Sequence, residues 1–131
     1  MNDDAELARR AAAIRHRAWC PYSGFRVGAA LLDEQGRVFE GCNVENASYP
    51  EGSCAETGAI AAMVAAGGRK IRVIAVAGGR EHVTTCTPCG GCRQRISEFA
   101  DEDTRVLVLD DEDRWTTYSV AELLPASFHL D

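Results

Sequence analysis

Residues 54–56 read Cys-Ala-Glu and residues 88–92 read Pro-Cys-Gly-Gly-Cys, and these two stretches decide how the sequence folds. An alanine-rich run follows Cys54 and stops at Gly67-Gly68, which predicts a helix that begins at Cys54 and is buried on nearly all sides. The second stretch predicts another helix, which continues to about Ala100. The first turn of a helix has unpaired N–H groups and a partial positive charge, both of which stabilise thiolates. The sequence therefore places three cysteines at the starts of two helices.

The rest of the chain alternates short apolar runs with turns, which predicts an α/β protein. A first helix from Asp3 or Asp4 to Ala18 ends at residues 21–24, and Ser119 caps a short last helix at 120–124. The predicted strands are 27–32, 38–39, 71–77, 106–109 and 115–118, and residues 41–53 are a predicted loop. This order implies one domain, residues 1–131, with a five-stranded mixed sheet and helices packed on it. A right-handed crossover makes the strand at 71–77 parallel to the strand at 106–109.

The composition is that of a globular domain and excludes several classes of partner. The 131 residues are 46% hydrophobic and 26% charged, with 14 Lys and Arg against 20 Asp and Glu and a net charge of −6. A nucleic-acid backbone or an anionic membrane requires a basic face, so neither is expected as the main partner. The acidic start of the sequence has no apolar signal-peptide core, so we expect a cytoplasmic protein. Thiols stay reduced there, and the six cysteines indicate metal binding or catalysis rather than disulfides.

The three cysteines at the two helix starts indicate a zinc site. Thiolates are preferred ligands of Zn²⁺. Cys54, Cys89 and Cys92 supply three of the four ligands that a tetrahedral zinc site needs. Three protein ligands leave one position for water, which is typical of catalytic zinc, and the metal lowers the pKa of that water to about 7. Glu56, two residues after Cys54, is placed to move its proton.

A structural zinc site is the alternative interpretation of the same cysteines. Residues 86–92 also contain a Cys-x-x-Cys-x-x-Cys pattern, so Cys86 would complete a closed four-cysteine site with no catalytic role. Glu56 favours the catalytic interpretation, because a structural site does not need it. Cys20 and Cys42 are predicted to be buried apolar thiols rather than ligands.

Five stretches in order along the chain resemble the small, homotetrameric cytidine deaminases that hold zinc with three cysteines: 18–30, 41–49, 54–56, 87–94 and 123–128. The resemblance implies a three-layer fold, with a five-stranded mixed sheet and helices on both faces. It implies one Zn²⁺ per chain and hydrolytic deamination of cytidine and 2′-deoxycytidine to the uridine products and ammonia, a reaction of pyrimidine salvage. It also implies a homotetramer whose active sites are shared between subunits. A deaminase of a related aminated nucleoside, such as a blasticidin-type antibiotic, remains an alternative.

The same resemblance implies roles for individual residues. Cys54, Cys89 and Cys92 match zinc ligands and Glu56 matches the proton shuttle, as in the zinc nucleobase deaminases generally. Asn43 and Glu45 match a pair that binds the ribose 3′-hydroxyl, and Phe25 matches an aromatic residue that packs against the nucleoside. Ala55 and Cys89 match residues whose backbone groups contact the pyrimidine. Ala47 and Tyr49 match a loop that reaches a neighbouring subunit, and Phe128 matches an aromatic residue that stacks on the base from another subunit.

The sequence departs from the family at residue 57. Many members with three cysteines have an arginine there, which offsets the charge of the thiolates, whereas this chain has Thr57. Three thiolates on Zn²⁺ carry a net charge of −1, so loss of a nearby cation disfavours ionisation of the bound water. We expect Arg93, the residue after Cys92, and the two helix N-termini to supply the compensating charge.

Overall fold

The computed structural model describes residues 3–130. Its helices and strands are α1 (Asp3–Ile14), β1 (Arg26–Asp33), β2 (Val38–Cys42), α2 (Ala55–Ala65), β3 (Ile71–Gly79), α3 (Gly90–Glu98), β4 (Arg105–Leu109), β5 (Trp115–Ser119) and α4 (Val120–Leu123). Two 3₁₀ turns, Arg15–Arg17 and Tyr49–Glu51, lie in the connections. No helix within residues 3–130 is long and apolar enough to cross a membrane.

The strands form one five-stranded mixed sheet in the order β2-β1-β3-β4-β5. Strand β1 is antiparallel to both β2 and β3, and β5 is antiparallel to β4. The pair β3 and β4 is parallel, with Val73 opposite Arg105 and Val76 opposite Val108. The predicted mixed sheet and its parallel pair are confirmed.

Helices cover both faces of the sheet, which gives three layers. Side chains alternate between the two faces along each strand. On one face Leu7, Ala8 and Ala11 of α1 pack against a buried set from β1, β3 and β4: Ala30, Val73, Ala75, Ala77, Leu107 and Leu109. On the other face α2 and α3 pack against Ala29, Leu31, Ile74, Val76, Val106 and Val108. The expected layer arrangement is confirmed, and α2 and α3 lie on the same face.

Two glycines let the helices touch the sheet backbone to backbone. A Cβ atom at Gly41 in β2 would lie 2.3 Å from the carbonyl oxygen of Ala55 and 2.5 Å from the nitrogen of Ala59. On the opposite face, a Cβ at Gly28 in β1 would lie 2.2 Å from the carbonyl oxygen of Ala11. Since no side chain fits at either contact, main-chain atoms fix the distance of α1 and α2 from the sheet.

The first helix is shorter than predicted. It ends at Ile14 and continues as one 3₁₀ turn, rather than reaching Ala18. The chain leaves the helix because Trp19 joins a β-type ladder: its N–H donates to Asn43 O at 3.0 Å and its carbonyl accepts from Glu45 N at 2.7 Å. Helical spacing alone does not reveal this long-range pairing.

Two other sequence predictions need correction. The predicted loop at 41–53 is partly extended chain, because β2 continues to Cys42 and Val44 forms bridges to Trp19 and Ser53. Helix α2 is not buried on nearly all sides, since Ala61 and Ala65 are exposed on the face turned away from the sheet. The predicted cap at Ser119 is present, and it accepts a hydrogen bond from Glu122 N at 3.1 Å.

Candidate active site

The three predicted cysteines meet where α2 and α3 begin. Cys54 is the N-cap of α2, Cys89 is the N-cap of α3, and Cys92 lies in the first turn of α3. Their Sγ atoms all lie within 4.8 Å of one another, and those of Cys54 and Cys89 are 3.8 Å apart. The chain thus brings together three residues from two distant parts of the sequence, as the helix starts predict.

The donor set fits a zinc ion. Burial raises the pKa of Cys54 and of Cys92 above the usual thiol range. Burial opposes ionisation of Cys89 too, but the Cys92 backbone N–H and the neighbouring thiols hold its pKa below the usual value. A cation among the three sulfurs removes the cost of ionising the buried pair. The three free thiols therefore fit one Zn²⁺ per chain.

Glu56 is a nearly fully buried carboxyl group beside these sulfurs. It lies in the first turn of α2, one residue after the start of the helix, and is 3% exposed. Burial raises its pKa, while the Cys92 side chain and the positive charge of Arg95 lower it in part. A carboxyl group with a raised pKa is suited to accept and release a proton near neutral pH.

A cavity of about 540 Å³ opens onto Cys54, Cys89 and Glu56. Its wall includes Asn43, Glu45 and Tyr49 from the segment between β2 and α2, and Ala55 from the start of α2. The volume lies within the range typical of small-molecule sites, about 300–1,000 Å³. The arrangement is a polar, metal-binding end and a rim of aromatic and polar side chains.

Asn43 and Glu45 are both held in place before any ligand binds. The amide of Asn43 bridges two positions of the neighbouring chain, accepting from Val27 N at 2.8 Å and donating to Phe25 O at 2.9 Å. The carboxylate of Glu45 accepts from the backbone N–H groups of Tyr22 at 2.9 Å and Ser23 at 3.2 Å. The Ser23 hydroxyl also donates to Glu45 at 2.5 Å and is the first cause of the lowered pKa of that carboxyl. Glu45 is therefore a fixed anion at the cavity wall.

Residues 1–108 match the family model described as the cytidine and deoxycytidylate deaminase zinc-binding region. The chain belongs to this deaminase family. A cytidine deaminase from Sporosarcina psychrophila is 38% identical to it over 126 residues, which are 96% of this chain and 91% of that protein. The solved structure of cytidine deaminase from Burkholderia pseudomallei superposes with a TM-score of 0.87 at 41% identity, covering 98% of this chain and 100% of that one. The structure of cytidine deaminase from Mycobacterium tuberculosis gives a TM-score of 0.83 at 36% identity, covering 99% and 100%.

Three residues matched to the deaminase family lie away from the cavity wall within the described chain. Phe25 is half-buried against β3, where a Cβ at Gly78 would lie 3.2 Å from its ring. Ala47 is exposed on the segment before α2. Phe128 is 68% exposed, and its carbonyl accepts a hydrogen bond from Gln94. In contrast Tyr49, which the resemblance places on a loop that reaches the site of a neighbouring subunit, lines the cavity of its own chain and makes an edge contact with the ring of Tyr22.

The remaining cysteines lie outside the thiol cluster. Cys86 lines the cavity and packs on β3 at Gly78, but among residues 3–130 it is not part of the group whose sulfurs lie within 4.8 Å. This placement weighs against a closed site of four cysteines. Cys20 is buried, as predicted, and Cys42 is half-buried.

The arginine that contacts a thiol is not the one the sequence suggested. Arg93 donates to the carbonyl oxygens of Pro88 at 2.7 Å and Leu123 at 2.9 Å. Arg95 instead donates to Cys92 Sγ, at 3.6 Å. Sequence reasoning also missed Ser23, although a serine close to a binding carboxylate gives no pattern that would single it out. For Arg95 a signal exists, because residues three apart on a helix share a face.

Proposed function

We propose that this chain catalyses the hydrolytic deamination of cytidine and 2′-deoxycytidine to the corresponding uridine nucleoside and ammonia. The observation that carries the proposal is the buried Glu56 beside three clustered thiols at the base of an open cavity. The curated and structural relatives named cytidine deaminase support the choice of substrate. Closed structural zinc sites have no use for a buried carboxyl group facing a cavity.

Cys54, Cys89 and Cys92 would hold the zinc, which, when bound, activates a water molecule near neutral pH. Glu56 takes one proton from the attacking water and delivers it to N3 of the pyrimidine while the oxygen bonds to C4. Glu56 then transfers the second water proton to the amino group, the C4–N4 bond breaks, and ammonia leaves. Both protons come from the water molecule, so the carboxyl group returns to its starting state. Burial keeps Glu56 able to hold a proton between the two transfers.

The sugar end of the substrate is assigned to Glu45 and Asn43. Glu45 is held by three donors, and as a carboxylate it has lone pairs left to accept from the ribose 3′-hydroxyl. The Asn43 amide uses one N–H for Phe25 and retains a second for the same hydroxyl oxygen. Such a pair rejects analogues that lack the hydroxyl, because the remaining lone pairs of Glu45 and the second N–H of Asn43 would be covered by the ligand without a partner.

A combined activity and metal measurement tests the function. Purified protein is assayed by loss of cytidine absorbance against a panel of cytidine, 2′-deoxycytidine and a blasticidin-type nucleoside, and zinc is measured on the same sample. We expect turnover of the two cytosine nucleosides with one zinc per chain. If only the blasticidin-type nucleoside is turned over, cytidine is not the substrate and the antibiotic takes its place. If the protein binds zinc but turns over none of the three nucleosides, the assignment as an enzyme is contradicted.

Cys86→Ser separates the catalytic from the structural zinc site. Cys86 packs on β3 outside the thiol cluster, so the variant is expected to keep its zinc, its thermal stability and its turnover. Loss of zinc together with unfolding would indicate that Cys86 is a fourth ligand. Cys54→Ser is the matched positive control, and it is expected to lose zinc.

We further propose that the enzyme is a homotetramer with shared active sites. The exposed alanines of α2 and the exposed ring of Phe128 support this, since apolar surface of this kind is available for subunit contacts. Phe128 would then stack on the base bound in a neighbouring subunit, and Ala47 would contribute to the same neighbouring site.

The reaction is assigned to pyrimidine salvage in the cytoplasm. Support comes from the six free cysteines, three of which must stay reduced to bind zinc, because reduced thiols persist in that compartment. A uracil-requiring bacterial strain without its own cytidine deaminase gives the test. Expression of the chain is expected to allow growth on cytidine, and failure to grow despite activity in the lysate would contradict the salvage role.

A further inference from the structure

The Arg95 guanidinium folds back along α3 onto a proposed metal ligand. Its Nη1 donates to Cys92 Sγ at 3.6 Å, one helical turn earlier in the chain. Gly91 leaves room for this conformation, because a Cβ at that position would lie 3.1 Å from the same Nη1 atom. Two positions of one helix, the arginine and the glycine four residues before it, are thus fitted to each other.

The acceptor of this hydrogen bond is the most buried sulfur of the three. Cys92 is 0% exposed, whereas Cys89 is exposed and Cys54 is partly exposed. Water therefore cannot solvate the Cys92 thiolate, and an N–H donor must come from the protein. A positively charged donor forms a stronger hydrogen bond with an anionic acceptor than a neutral donor does.

The charge of the site requires a cation close by. Three thiolates on Zn²⁺ leave one net negative charge, and the most buried of the three sulfurs is shielded from water. Arg93 is occupied by the carbonyl oxygens of Pro88 and Leu123. Arg95 is the arginine whose guanidinium hydrogen-bonds to one of the three sulfurs, so it places a positive charge next to the thiol cluster.

We infer that Arg95 is a positioning residue of the metal centre, which orients the Cys92 thiolate by hydrogen bonding and offsets the negative charge of the three sulfurs. The inference rests on zinc binding by the three cysteines, as proposed above. Partners that hydrogen-bond to metal ligands typically contribute about 10–100-fold to metal affinity or activity. Arg95 is not among the described residues that line the cavity, so it acts on the reaction through its neighbours rather than by contact with the substrate.

Arg95→Gln and Arg95→Lys test the hydrogen bond and the charge. Zinc affinity is measured by competition with a chromophoric chelator, and Co²⁺ is then exchanged into the site to record the sulfur-to-cobalt charge-transfer band. Arg95→Gln is expected to weaken zinc binding roughly tenfold and to move the band to longer wavelength, because the sulfur loses a charged donor. Arg95→Lys keeps the charge and is expected to recover part of both effects. Arg9→Gln, on α1 at the opposite face of the sheet, makes the same change of charge and is expected to match the wild type.

Gly91→Ala and Gly90→Ala form a second matched pair, which does not remove the arginine. A Cβ at Gly91 meets the Arg95 guanidinium, whereas a Cβ at Gly90 has nothing within 4 Å. Gly91→Ala is expected to shift the cobalt band in the direction of Arg95→Gln, by a smaller amount and without lowering Tm. Gly90→Ala is expected to leave the band unchanged.

The results distinguish this inference from the zinc site itself. If the wild-type protein takes up neither zinc nor cobalt, that result would contradict the proposed metal centre and therefore this inference as well. Normal metal uptake by the wild type with unchanged affinity and band in folded Arg95→Gln would overturn the inference alone. If Arg95→Gln does not fold, an unchanged band in Gly91→Ala would also overturn it.

Discussion

At the scale of single residues, Glu56 shows how burial prepares a side chain for chemistry. The first turn of α2 carries a partial positive charge, which favours a carboxylate, as do the Cys92 side chain and Arg95, but burial opposes ionisation. Burial is the larger effect and raises the pKa of Glu56. Glu56 therefore holds a proton more readily than an exposed carboxyl group does, and its ionised form costs folding free energy.

Glu56→Gln is expected to abolish turnover while preserving the fold. General acid–base catalysis by one group contributes about 10²–10⁴-fold, and Glu56 acts twice, so we expect a loss of roughly 10⁴-fold or more in kcat. A raised carboxyl pKa destabilises the native state as the pH rises. The neutral amide does not ionise, so we expect the Tm of Glu56→Gln at pH 8 to equal or exceed that of the wild type. The measurements are kcat, zinc per chain and Tm. Glu98→Gln, on the exposed end of α3, is the control, and substantial residual turnover in Glu56→Gln would contradict the assignment.

Glu45→Gln is expected to weaken recognition of the sugar. The neutral amide accepts less strongly from the 3′-hydroxyl, so we expect KM for cytidine to rise roughly tenfold with a smaller change in kcat. The wild type is expected to discriminate strongly against 3′-deoxycytidine, and the variant only weakly. Ser23→Ala removes one of the donors that hold Glu45 and is expected to have a smaller effect. If the wild type and Glu45→Gln discriminate equally against 3′-deoxycytidine, the 3′-hydroxyl does not bind at Glu45.

The sequence predicted the residues that chemistry constrains and missed those that depend on conformation. Cys54, Cys89, Cys92 and Glu56 follow from ligand chemistry and helix starts, and the structure brings them together. Arg95 was missed because Arg93 is nearer to Cys92 in sequence. Adjacent helical residues point about 100° apart, whereas residues three apart share a face, so helical periodicity favours Arg95. That its guanidinium folds back depends on the space above Gly91, which no sequence pattern reports.

At the scale of secondary-structure elements, the contact between β2 and α2 positions Cys54 and Glu56. Gly41 touches the backbone of α2 in its first turn and a half, close to both functional residues. The sequence indicated α2 and the returning strand but not their contact, since a glycine in a predicted loop is unremarkable. Similarly, the early end of α1 follows from hydrogen bonds between Trp19 and the segment after β2.

Gly41→Ala is expected to be strongly destabilising. The new Cβ would lie 2.3 Å from a backbone oxygen, which cannot move away as a flexible side chain can, so we expect a loss of about 3 kcal/mol or more in the free energy of unfolding. Gly58→Ala, across the same contact, is the matched control. Its Cβ would lie 3.5 Å from Gly41 Cα, so the gain in helix propensity is expected to stabilise by about 0.5–1 kcal/mol. Urea unfolding measures both, and equal effects of the two variants would contradict the backbone contact.

Asp33 stabilises the turn between β1 and β2 in a pH-dependent way. Burial alone would raise the pKa of Asp33, but the backbone N–H and guanidinium of Arg37 and the N–H of Gln35 hold it below the usual value. A lowered carboxyl pKa contributes stability above the unfolded-state pKa, near 4, and that stability is lost as the pH falls through the folded-state pKa.

Asp33→Asn is expected to lower the free energy of unfolding by about 1–3 kcal/mol at pH 7 and pH 5. At pH 3.5 the difference from the wild type is expected to shrink, because the Asp33 carboxyl group of the unfolded wild type takes up protons there and this stabilises the unfolded state. Both proteins lose zinc in acid, so their difference at each pH isolates Asp33. Glu112→Gln, in the exposed turn between β4 and β5, is the control. A difference that stays constant down to pH 3.5 would contradict the role of the charge.

At the scale of the whole molecule, one chain holds the clustered thiols and the two residues proposed to bind the sugar, but not every aromatic assigned to the base. Phe128 is exposed and lies away from the cavity wall of its own chain. The fold was predictable because the order of helices and strands permits few sheet topologies. The association of subunits was suggested only by the family resemblance, since a single chain shows which surface is exposed and not what covers it.

Phe128→Ala is expected to raise KM for cytidine several-fold without changing zinc content, because a lost base–aromatic contact costs roughly 1–3 kcal/mol. Co-expression with Glu56→Gln then tests sharing between subunits. In a mixed tetramer, Phe128 of an inactive subunit can serve a site whose Glu56 is intact, so part of the activity is expected to regain the wild-type KM. Mass measurement of the native protein accompanies the assay. A monomer, or mixed protein with only the KM of Phe128→Ala, would contradict shared sites.

The glycine contacts at Gly28 and Gly41 also bear on how this sequence can diverge. At each of the two glycines, contact between main-chain atoms fixes the distance from a helix to the sheet, and this distance does not depend on the side chains around the contact. Substitutions among the apolar side chains of the interior can therefore alter its volume without translating α2 or the residues at its start. Directed evolution for thermal tolerance can vary the apolar side chains of the interior, provided that Gly28 and Gly41 are excluded from the library together with the buried Glu56 and Cys92.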